Sequence, residues 1–236
     1  MTNLQVITAE SIFELQEKDT NGQLKITILY ADFNVLNYLY INRITVPNSI
    51  IVYPDSTAVY IYIKYCQKKK ITKIISTDLQ HTLLEKMIFE NKKIYFLGDS
   101  KEILKSLEKK LKLKYPNIKI VGLQSGYNFN SDYIIKNINK MKPDILFIGL
   151  GLSRQEKWII ENYSQIDSKI IIAVGGWFQY LAGKKKRAPK LLRKFHLEWL
   201  LKLIIEFPRV WKRYLIGFPL FCFRVISKKI IISLND

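Results

Sequence analysis

Residues that bind metal ions or form disulfide bridges are scarce in this sequence. Its 236 residues include two cysteines, Cys66 and Cys222, and two histidines, His81 and His196. These four are spread along the chain and match no metal-ligand spacing, which argues against a structural metal site. Two distant cysteines are also not a disulfide framework, and the composition is that of a chain in the reducing cytosol.

Long apolar runs are absent as well. A membrane-spanning helix needs roughly eighteen or more apolar residues. The nearest candidate, Tyr214–Ile226, is about thirteen residues long and contains Arg224. The N-terminal segment carries early acids and no apolar core flanked by basic residues, so it does not form a secretory signal. We therefore expect a protein that is soluble or bound peripherally to a membrane surface.

Acidic residues are few beside basic ones, with 20 Asp and Glu against 38 Lys and Arg and a net charge of +18. A charge of this size predicts an anionic partner, such as nucleic acid, anionic lipid or a phosphorylated substrate. After Gly183 the imbalance becomes steeper, because residues 184–236 contain fourteen basic residues and three acids among many aromatic side chains. We therefore divide the chain into a domain of residues 1–183 and a basic, aromatic appendage of residues 184–236.

Short apolar runs rich in β-formers do occur, and they alternate with helical segments along the first domain. This order predicts an α/β fold, a parallel sheet with right-handed crossovers covered by helices on both faces. In such sheets ligands bind at the carboxyl ends of the strands. The predicted strands are Lys25–Tyr30, Ile50–Tyr53, Lys93–Leu97, Ile118–Leu123, Asp144–Gly149 and Lys169–Val174.

A glycine turn follows the fifth predicted strand. Gly149 and Gly151 allow backbone amides to approach a phosphate at the start of a helix, where Arg154 and Gln155 can donate hydrogen bonds. An ordinary tight turn explains the same residues about equally well, because the third glycine of the dinucleotide fingerprint is missing. Gly175 and Gly176 form a similar turn after the last strand. The chain has no Gly-x-Ser-x-Gly motif and no Walker loop, which argues against serine hydrolases and P-loop NTPases.

Carboxylates follow the first two predicted strands. Asp55 comes directly after Pro54 and is a candidate general base, although a solvated turn aspartate is the alternative. Asp32 and Asn34 offer further polar contacts after the first strand, and Asp32 is equally suited to cap a helix.

The appendage admits three interpretations from its residues. Its aromatic and basic side chains suit nucleic-acid binding by stacking and phosphate contact. They equally suit a membrane surface, where aromatic rings enter the interface and basic residues meet anionic headgroups. The third interpretation is a pair of amphipathic helices that close the core, since the apolar spacing within Leu191–Leu203 is helical. The apolar run Tyr214–Ile226 favours the membrane.

Several ordered segments together resemble one family, the WecG/TagA/CpsF glycosyltransferases. The similarity extends over about residues 25 to 225 and continues, more weakly, through STDL (76–79), YPD (53–55) and YADFNVLN (30–37). Its strongest segments are GLGLSRQEKW (149–158), VGGWFQYLAG (174–183), KRAP (186–189), LEWL (197–200) and EFPRVWKRYLIGFP (206–219).

The resemblance implies a Rossmann-like fold and an inverting, metal-independent transfer that needs no cofactor. The sugar, an N-acetylhexosamine, its uronate or a hexose, would pass from a UDP-sugar donor to a polyprenyl-diphosphate-linked sugar in the synthesis of a cell-surface polysaccharide or teichoic acid. Residues 1–183 would be the catalytic domain, and residues 184–236 would bind the anionic inner face of the cell membrane from the cytoplasm. Nucleic acid is then not an expected partner, while self-association into homo-oligomers stays open.

By the same resemblance, Asp55 matches the catalytic base and Gln155 a residue that binds the nucleotide-sugar. The remaining substrate-binding candidates are Asp32, Asn34, Lys73, Gly149, Gly151, Arg154, Gly175 and Gly176, and those for lipid diphosphate or membrane are Arg209, Arg213 and Arg224. Three positions depart from the family pattern. Ser56 follows Asp55 where glycine is usual, Gln179 replaces a common acid, and Lys73 replaces an arginine and lacks its two-pronged contact. A non-enzymatic nucleic-acid-binding α/β protein is the alternative interpretation.

Overall fold

A six-stranded parallel sheet forms the centre of the molecule. The computed structural model describes residues 2–7, 25–71, 76–127, 130–189, 192 and 198–234. The strands in chain order are β1 (Thr2–Val6), β2 (Ile26–Ala31), β3 (Ile50–Pro54), β4 (Lys93–Gly98), β5 (Lys119–Gln124), β6 (Ile145–Gly149), β7 (Ile170–Ala173) and β8 (Ile230–Leu234). In the large sheet the order is β3-β2-β7-β6-β4-β5, with every neighbour parallel. The predicted α/β fold with a Rossmann-like parallel sheet is confirmed.

The central strands are almost entirely apolar because helices cover both faces of a parallel sheet. Every residue of β2, β6 and β7 is buried, whereas the edge strand β5 is only partly buried. The six strands predicted from sequence match β2 to β7 within one or two residues. Continuous apolar runs bounded by polar turns therefore located the sheet.

Helices alternate with these strands, and their ends follow ordinary capping chemistry. In the helix Lys101–Lys114, Ser100 caps the N-terminus by accepting a hydrogen bond from the Ile103 amide (3.3 Å), and Leu104, Leu107 and Leu111 form the buried stripe. The helices are α1 (Phe33–Ile41), α2 (Thr57–Ile61), α3 (Ser76–Phe89), α4 (Lys101–Lys114), α5 (Ser131–Met141), α6 (Arg154–Asn162), α7 (Trp177–Leu181), α8 (Glu198–Ile205), α9 (Phe207–Lys212) and α10 (Phe218–Ile226). Tyr62–Cys66 and Arg213–Gly217 are π-helical, and Tyr163–Gln165 is a 3-10 turn.

The C-terminal segment, residues 198–234, packs against the α/β unit. Pro208 and Pro219 each lie in the first turn of a new helix, so the apolar run Tyr214–Ile226 is divided between a π-helical turn and α10. The Phe33 ring of α1 contacts the rings of Tyr214, Phe218 and Phe221, with centroids 5.8–6.2 Å apart. These contacts seat the segment beside the carboxyl end of β2.

The two ends of the chain also meet, which sequence reasoning missed. Strand β8 pairs in parallel with β1, and the amide of Ile7 donates to the Val52 carbonyl of β3 (2.9 Å). The Gln67 side chain donates to the carbonyl of Ile232. The C-terminal segment is thus attached through its last strand to the edge of the core. None of the helices in the described ranges is long and apolar enough to cross a membrane.

Candidate active site

A cavity of about 480 Å³ lies where the carboxyl ends of β2 and β3 meet the C-terminal segment. Tyr30 pairs with Tyr53, and Ala31 with Pro54, so Asp32 and the loop at Asp55 leave the sheet side by side. The floor of the cavity includes Asp32, Asp55, Ser76 and Thr77, and the roof includes Glu198, Lys202, Arg213 and Tyr214. Predicted candidates from opposite parts of the sequence are therefore brought together here.

Asp55 is half-buried at the floor of the cavity. Its Oδ1 accepts a hydrogen bond from the backbone amide of Ser76 (2.9 Å), the first residue of α3. Burial raises the pKa of Asp55, and the hydrogen bonds from Ser76 offset that rise only in part. The neighbouring Asp32 raises this pKa further, and Lys202 lowers it. A carboxylate with a raised pKa that faces a cavity suits proton abstraction.

Asp32 has two partners, one on each carboxylate oxygen. Its Oδ1 caps α1 by accepting from the Asn34 amide (2.8 Å) and the Asn34 side chain (3.0 Å), which confirms the capping interpretation. Its Oδ2 accepts from Nη2 of Arg213 (2.6 Å). Burial lowers the pKa of Arg213, but Asp32 together with Tyr214 and Tyr30 outweighs that effect and the pKa is raised. Arg213 lines the cavity, while its Nε is buried and has no hydrogen-bond partner among the described residues.

Lys202 supplies a second cation to the roof, and sequence reasoning did not select it. Its Nζ lies 3.4 Å from Oε1 of Glu198, one helical turn earlier in α8. Desolvation opposes its charge, but Glu198, Tyr180 and Asp55 outweigh that effect and the pKa of Lys202 is raised. The only sequence signal for this pair was its i,i+4 spacing, which occurs on many solvated helices.

The predicted glycines fall into two groups. A Cβ on Gly149 would lie 2.9 Å from the Gly175 carbonyl oxygen, and one on Gly175, whose φ is +55°, would lie 2.5 Å from the Tyr30 hydroxyl. These two permit close packing of neighbouring loops. Gly151 (φ +88°) and Gly176 have open space where a Cβ would be. They leave the backbone at the β6 and β7 ends accessible to a ligand.

Gln155 is fully buried and links three elements. Its Nε2 donates to the Tyr30 hydroxyl (2.7 Å) and to Oε1 of Glu156 (2.7 Å), and its Oε1 accepts from the Gly175 amide (2.9 Å). These bonds fix the ends of β2, α6 and the β7 loop relative to one another. Gln155 does not line the cavity, and direct binding of a nucleotide-sugar by it stays a prediction.

Glu156 is a buried carboxyl group that sequence reasoning overlooked. It has no exposed surface, and its Oε2 lacks a hydrogen-bond partner among the described residues. Burial raises the pKa of Glu156 to about 7, although the Gln155 side chain and backbone amides lower it. A glutamate at the start of a helix is usually a solvated first-turn residue, so its burial could not be predicted from the sequence.

The other predicted residues lie apart from the cavity wall. Arg224 donates to Oδ1 of Asn37 (2.6 Å), and Asn37 donates to the Gly217 carbonyl (2.7 Å), so both hold the C-terminal segment against α1. Arg209 is exposed and paired with Glu206, and Arg154 is exposed at the start of α6. Lys73 lies outside the described residues. Across the described ranges, no group of three or more His, Cys, Asp or Glu side chains could hold a metal ion.

Carboxylates and cations that converge at the carboxyl ends of parallel strands are typical of enzymes that act on phosphorylated substrates. A sequence profile of the glycosyl transferase WecG/TagA/CpsF family matches residues 5–233. The chain therefore belongs to this family and is a glycosyltransferase.

Relatives in Staphylococcus aureus are similar over nearly the whole chain. Those of strains MRSA252 and NCTC 8325 are 27% and 26% identical over 233 residues, which cover 97% of this chain and 89% of each relative. Both are named N-acetylglucosaminyldiphosphoundecaprenol N-acetyl-beta-D-mannosaminyltransferase. The alternative of a non-enzymatic nucleic-acid-binding protein finds no support in these comparisons.

Proposed function

We propose that this enzyme transfers a sugar from a UDP-sugar to an N-acetylglucosamine carried on a polyprenyl diphosphate. The observation that carries the proposal is the cavity that unites Asp55 with the cations Lys202 and Arg213. The activity for which the relatives are named supports this acceptor and makes N-acetylmannosamine the first donor sugar to test.

In the proposed reaction, Asp55 removes the proton from the attacking hydroxyl of the acceptor. The hydroxyl oxygen then forms a bond to the anomeric carbon of the donor from the side opposite UDP, and the bond from that carbon to the diphosphate oxygen breaks. UDP departs with the electron pair, and the configuration at the anomeric carbon is inverted. The half-buried position of Asp55 supports this role because it raises the pKa of the base toward neutral pH.

Cationic side chains in the roof would bind the diphosphate groups. Lys202 and Arg213 both face the cavity, and each keeps its charge through a nearby carboxylate. Gly151 and Gly176 do not line the described cavity, but the open space around them at the ends of β6 and β7 would allow their backbone amides to approach the donor diphosphate. Positive charge and aligned amides stabilise the negative charge that develops on the leaving group.

The surface of the C-terminal segment supports contact with a membrane. Large apolar side chains of α8 to α10 are exposed, including Ile204, Ile205, Phe207, Phe223 and Ile226. Arg209, Lys212, Lys228 and Lys229 lie among them in the sequence. Aromatic and aliphatic groups flanked by basic residues bind the interface of anionic bilayers. This segment also roofs the cavity, so the site would open close to the lipid that carries the acceptor.

Replacing Ile204, Ile205 and Phe207 together by serine is expected to weaken binding to phosphatidylglycerol vesicles by about tenfold or more. Co-sedimentation of the full chain measures this binding. The matched control replaces Phe89 and Leu113 by serine; these residues of α3 and α4 are even more exposed, and their replacement should leave binding unchanged. Equal sedimentation of the triple variant and the wild type would remove the membrane role of this surface.

Donor binding can be tested by thermal denaturation with a panel of UDP-sugars. A donor at 100 times its Kd stabilises the folded state by about 2.7 kcal/mol, which raises the Tm by several degrees. We expect such a shift with at least one UDP-sugar and none with the matching uridine nucleoside. If only oligonucleotides raise the Tm, and binding weakens steeply with salt, the proposal fails.

A further inference from the structure

We propose that Arg187 is a positioning residue for the reaction, which acts on Asp55 through α3. The ion pair between Arg187 and Asp78 fixes the first turn of α3, and this turn presents the Ser76 amide to the Asp55 carboxylate. The proposal rests on the proposed function, in which Asp55 is the base.

The contact between Arg187 and Asp78 uses both prongs of the guanidinium. Nη1 lies 2.5 Å from Oδ1 of Asp78, and Nη2 lies 3.3 Å from Oδ2. Asp78 is the third residue of α3, two positions after Ser76. A two-pronged contact fixes the orientation of the carboxylate as well as its distance. It therefore restrains rotation of the helical turn that carries the donor to Asp55.

Neither Arg187 nor Asp78 lines the cavity. Ser76 and Thr77, which connect this ion pair to Asp55, do line it. The ion pair therefore lies outside the cavity and can affect the site only through the residues next to it. Arg187 belongs to the connection between α7 and the C-terminal segment, and the next residue, Ala188, is buried. This connection is consequently anchored to the same turn that contacts the base.

The ion pair between Arg187 and Asp78 is expected to contribute little to the stability of the fold. The Arg187 and Asp78 side chains are 27% and 46% exposed, and pairs with this much water contact stabilise a fold little. At the same time the Nε of Arg187 is buried without a hydrogen-bond partner among the described residues, which is unfavourable. A contact with a small net stabilisation and a fixed two-pronged geometry is suited to orienting its helix.

The amide of Ser76 matters because the other charges around Asp55 largely oppose one another. Asp32, beyond β2, raises the pKa of Asp55, and Lys202 of the roof lowers it. The hydroxyls of Tyr30 and Tyr53 also face this carboxylate from the strands. Hydrogen bonds from Ser76 are the largest influence that favours the charged form. Displacing Ser76 would therefore raise the pKa of the base.

Two readouts on the full chain test the inference, using Arg187→Met, Asp78→Asn and the milder Arg187→Lys. The first follows the Ser76 amide resonance during a pH titration of ¹⁵N-labelled protein, with Asp55→Asn identifying the step due to Asp55. The second follows the acid limb of kcat against pH. In Arg187→Met and Asp78→Asn we expect both midpoints to rise by about one pH unit. Arg187→Lys should fall between these variants and the wild type.

The matched control is Lys186→Ala, which removes a charge from the same connection at an exposed side chain and should move neither midpoint. A merely structural role for Arg187 would lower the Tm and leave both midpoints at their wild-type values, which would overturn the inference. If Asp55→Asn retains full turnover, the proposed base fails. The Ser76 titration still decides separately whether Arg187 controls the hydrogen bond.

Discussion

Asparagine in place of Asp55 is expected to lower kcat by about 10²–10⁴-fold, the usual contribution of a general base. The amide keeps the size of the side chain and an oxygen that can accept from the Ser76 amide, so the fold should be retained. It has no basic oxygen for the acceptor proton. Initial rates at saturating donor and acceptor measure the loss.

The dependence of the wild-type rate on pH should also report on Asp55. Only the ionised form of Asp55 accepts a proton, and burial raises its pKa. The rate should consequently fall as the pH drops through a midpoint above the ordinary aspartate range. Asp132→Asn, a change of the same kind at an exposed carboxylate, is the control. Wild-type turnover by Asp55→Asn would refute the assignment.

Glutamine in place of Glu156 is expected to stabilise the enzyme by about 3 kcal/mol at pH 8, where the wild-type carboxyl is ionised and pairs with no cation among the described residues. The folded state raises the pKa of Glu156 from 4.5 to about 7, so it favours the protonated form. The stability that this preference contributes is complete below pH 4.5 and is lost as the pH rises through 7. Glutamine resembles the protonated group at every pH and still accepts from the Gln155 side chain.

Denaturant unfolding between pH 4.5 and 8 measures this effect. The wild type and Glu156→Gln should have similar free energies of unfolding near pH 4.5 and diverge as the pH rises. Glu161→Gln, at an exposed position of the same helix, should follow the wild type at each pH. Parallel curves for the wild type and Glu156→Gln would show that folding does not raise the pKa of this carboxyl, which would contradict the prediction.

The large sheet could be predicted because its evidence is local. Buried parallel strands are continuous apolar runs, and caps such as Ser100 mark where helices begin. Strands β1 and β8 could not be predicted in the same way. Each is short, and the partner of β1 lies at the other end of the chain, with no local signal for their pairing.

The residues on the floor of the cavity could be predicted from the sequence in the same way, whereas those in its roof could not. Asp32 and Asp55 follow neighbouring parallel strands, so topology alone places them together. Arg213 entered only through the family resemblance. Lys202 was missed because its position depends on how α8 docks over the sheet. Gln155 shows a further limit, since a polar residue at a helix start can face a ligand or, as here, a buried hydrogen-bond network.

The C-terminal segment is the part of the chain whose interpretation the structure changes most. Its composition left nucleic acid, membrane and core packing open, and the structure shows where individual side chains of the segment lie. Arg224 contacts α1, Arg213 faces the cavity, and the apolar side chains of α8 are exposed. Of the predicted core-closing stretch Leu191–Leu203, the described residues 198–203 include no fully buried side chain, and most of the preceding residues lie outside the described ranges.

The mass of the lipid product tests the central claim most directly. The full chain would be incubated with N-acetylglucosamine-diphospho-undecaprenol and UDP-N-acetylmannosamine, then with the other UDP-sugars, each with and without EDTA. We predict a lipid heavier by one sugar residue, one UDP released for each sugar transferred, and no loss of product with EDTA. If the Staphylococcus aureus relative forms its product in the same assay while this chain transfers no sugar from any donor, the proposed function is contradicted.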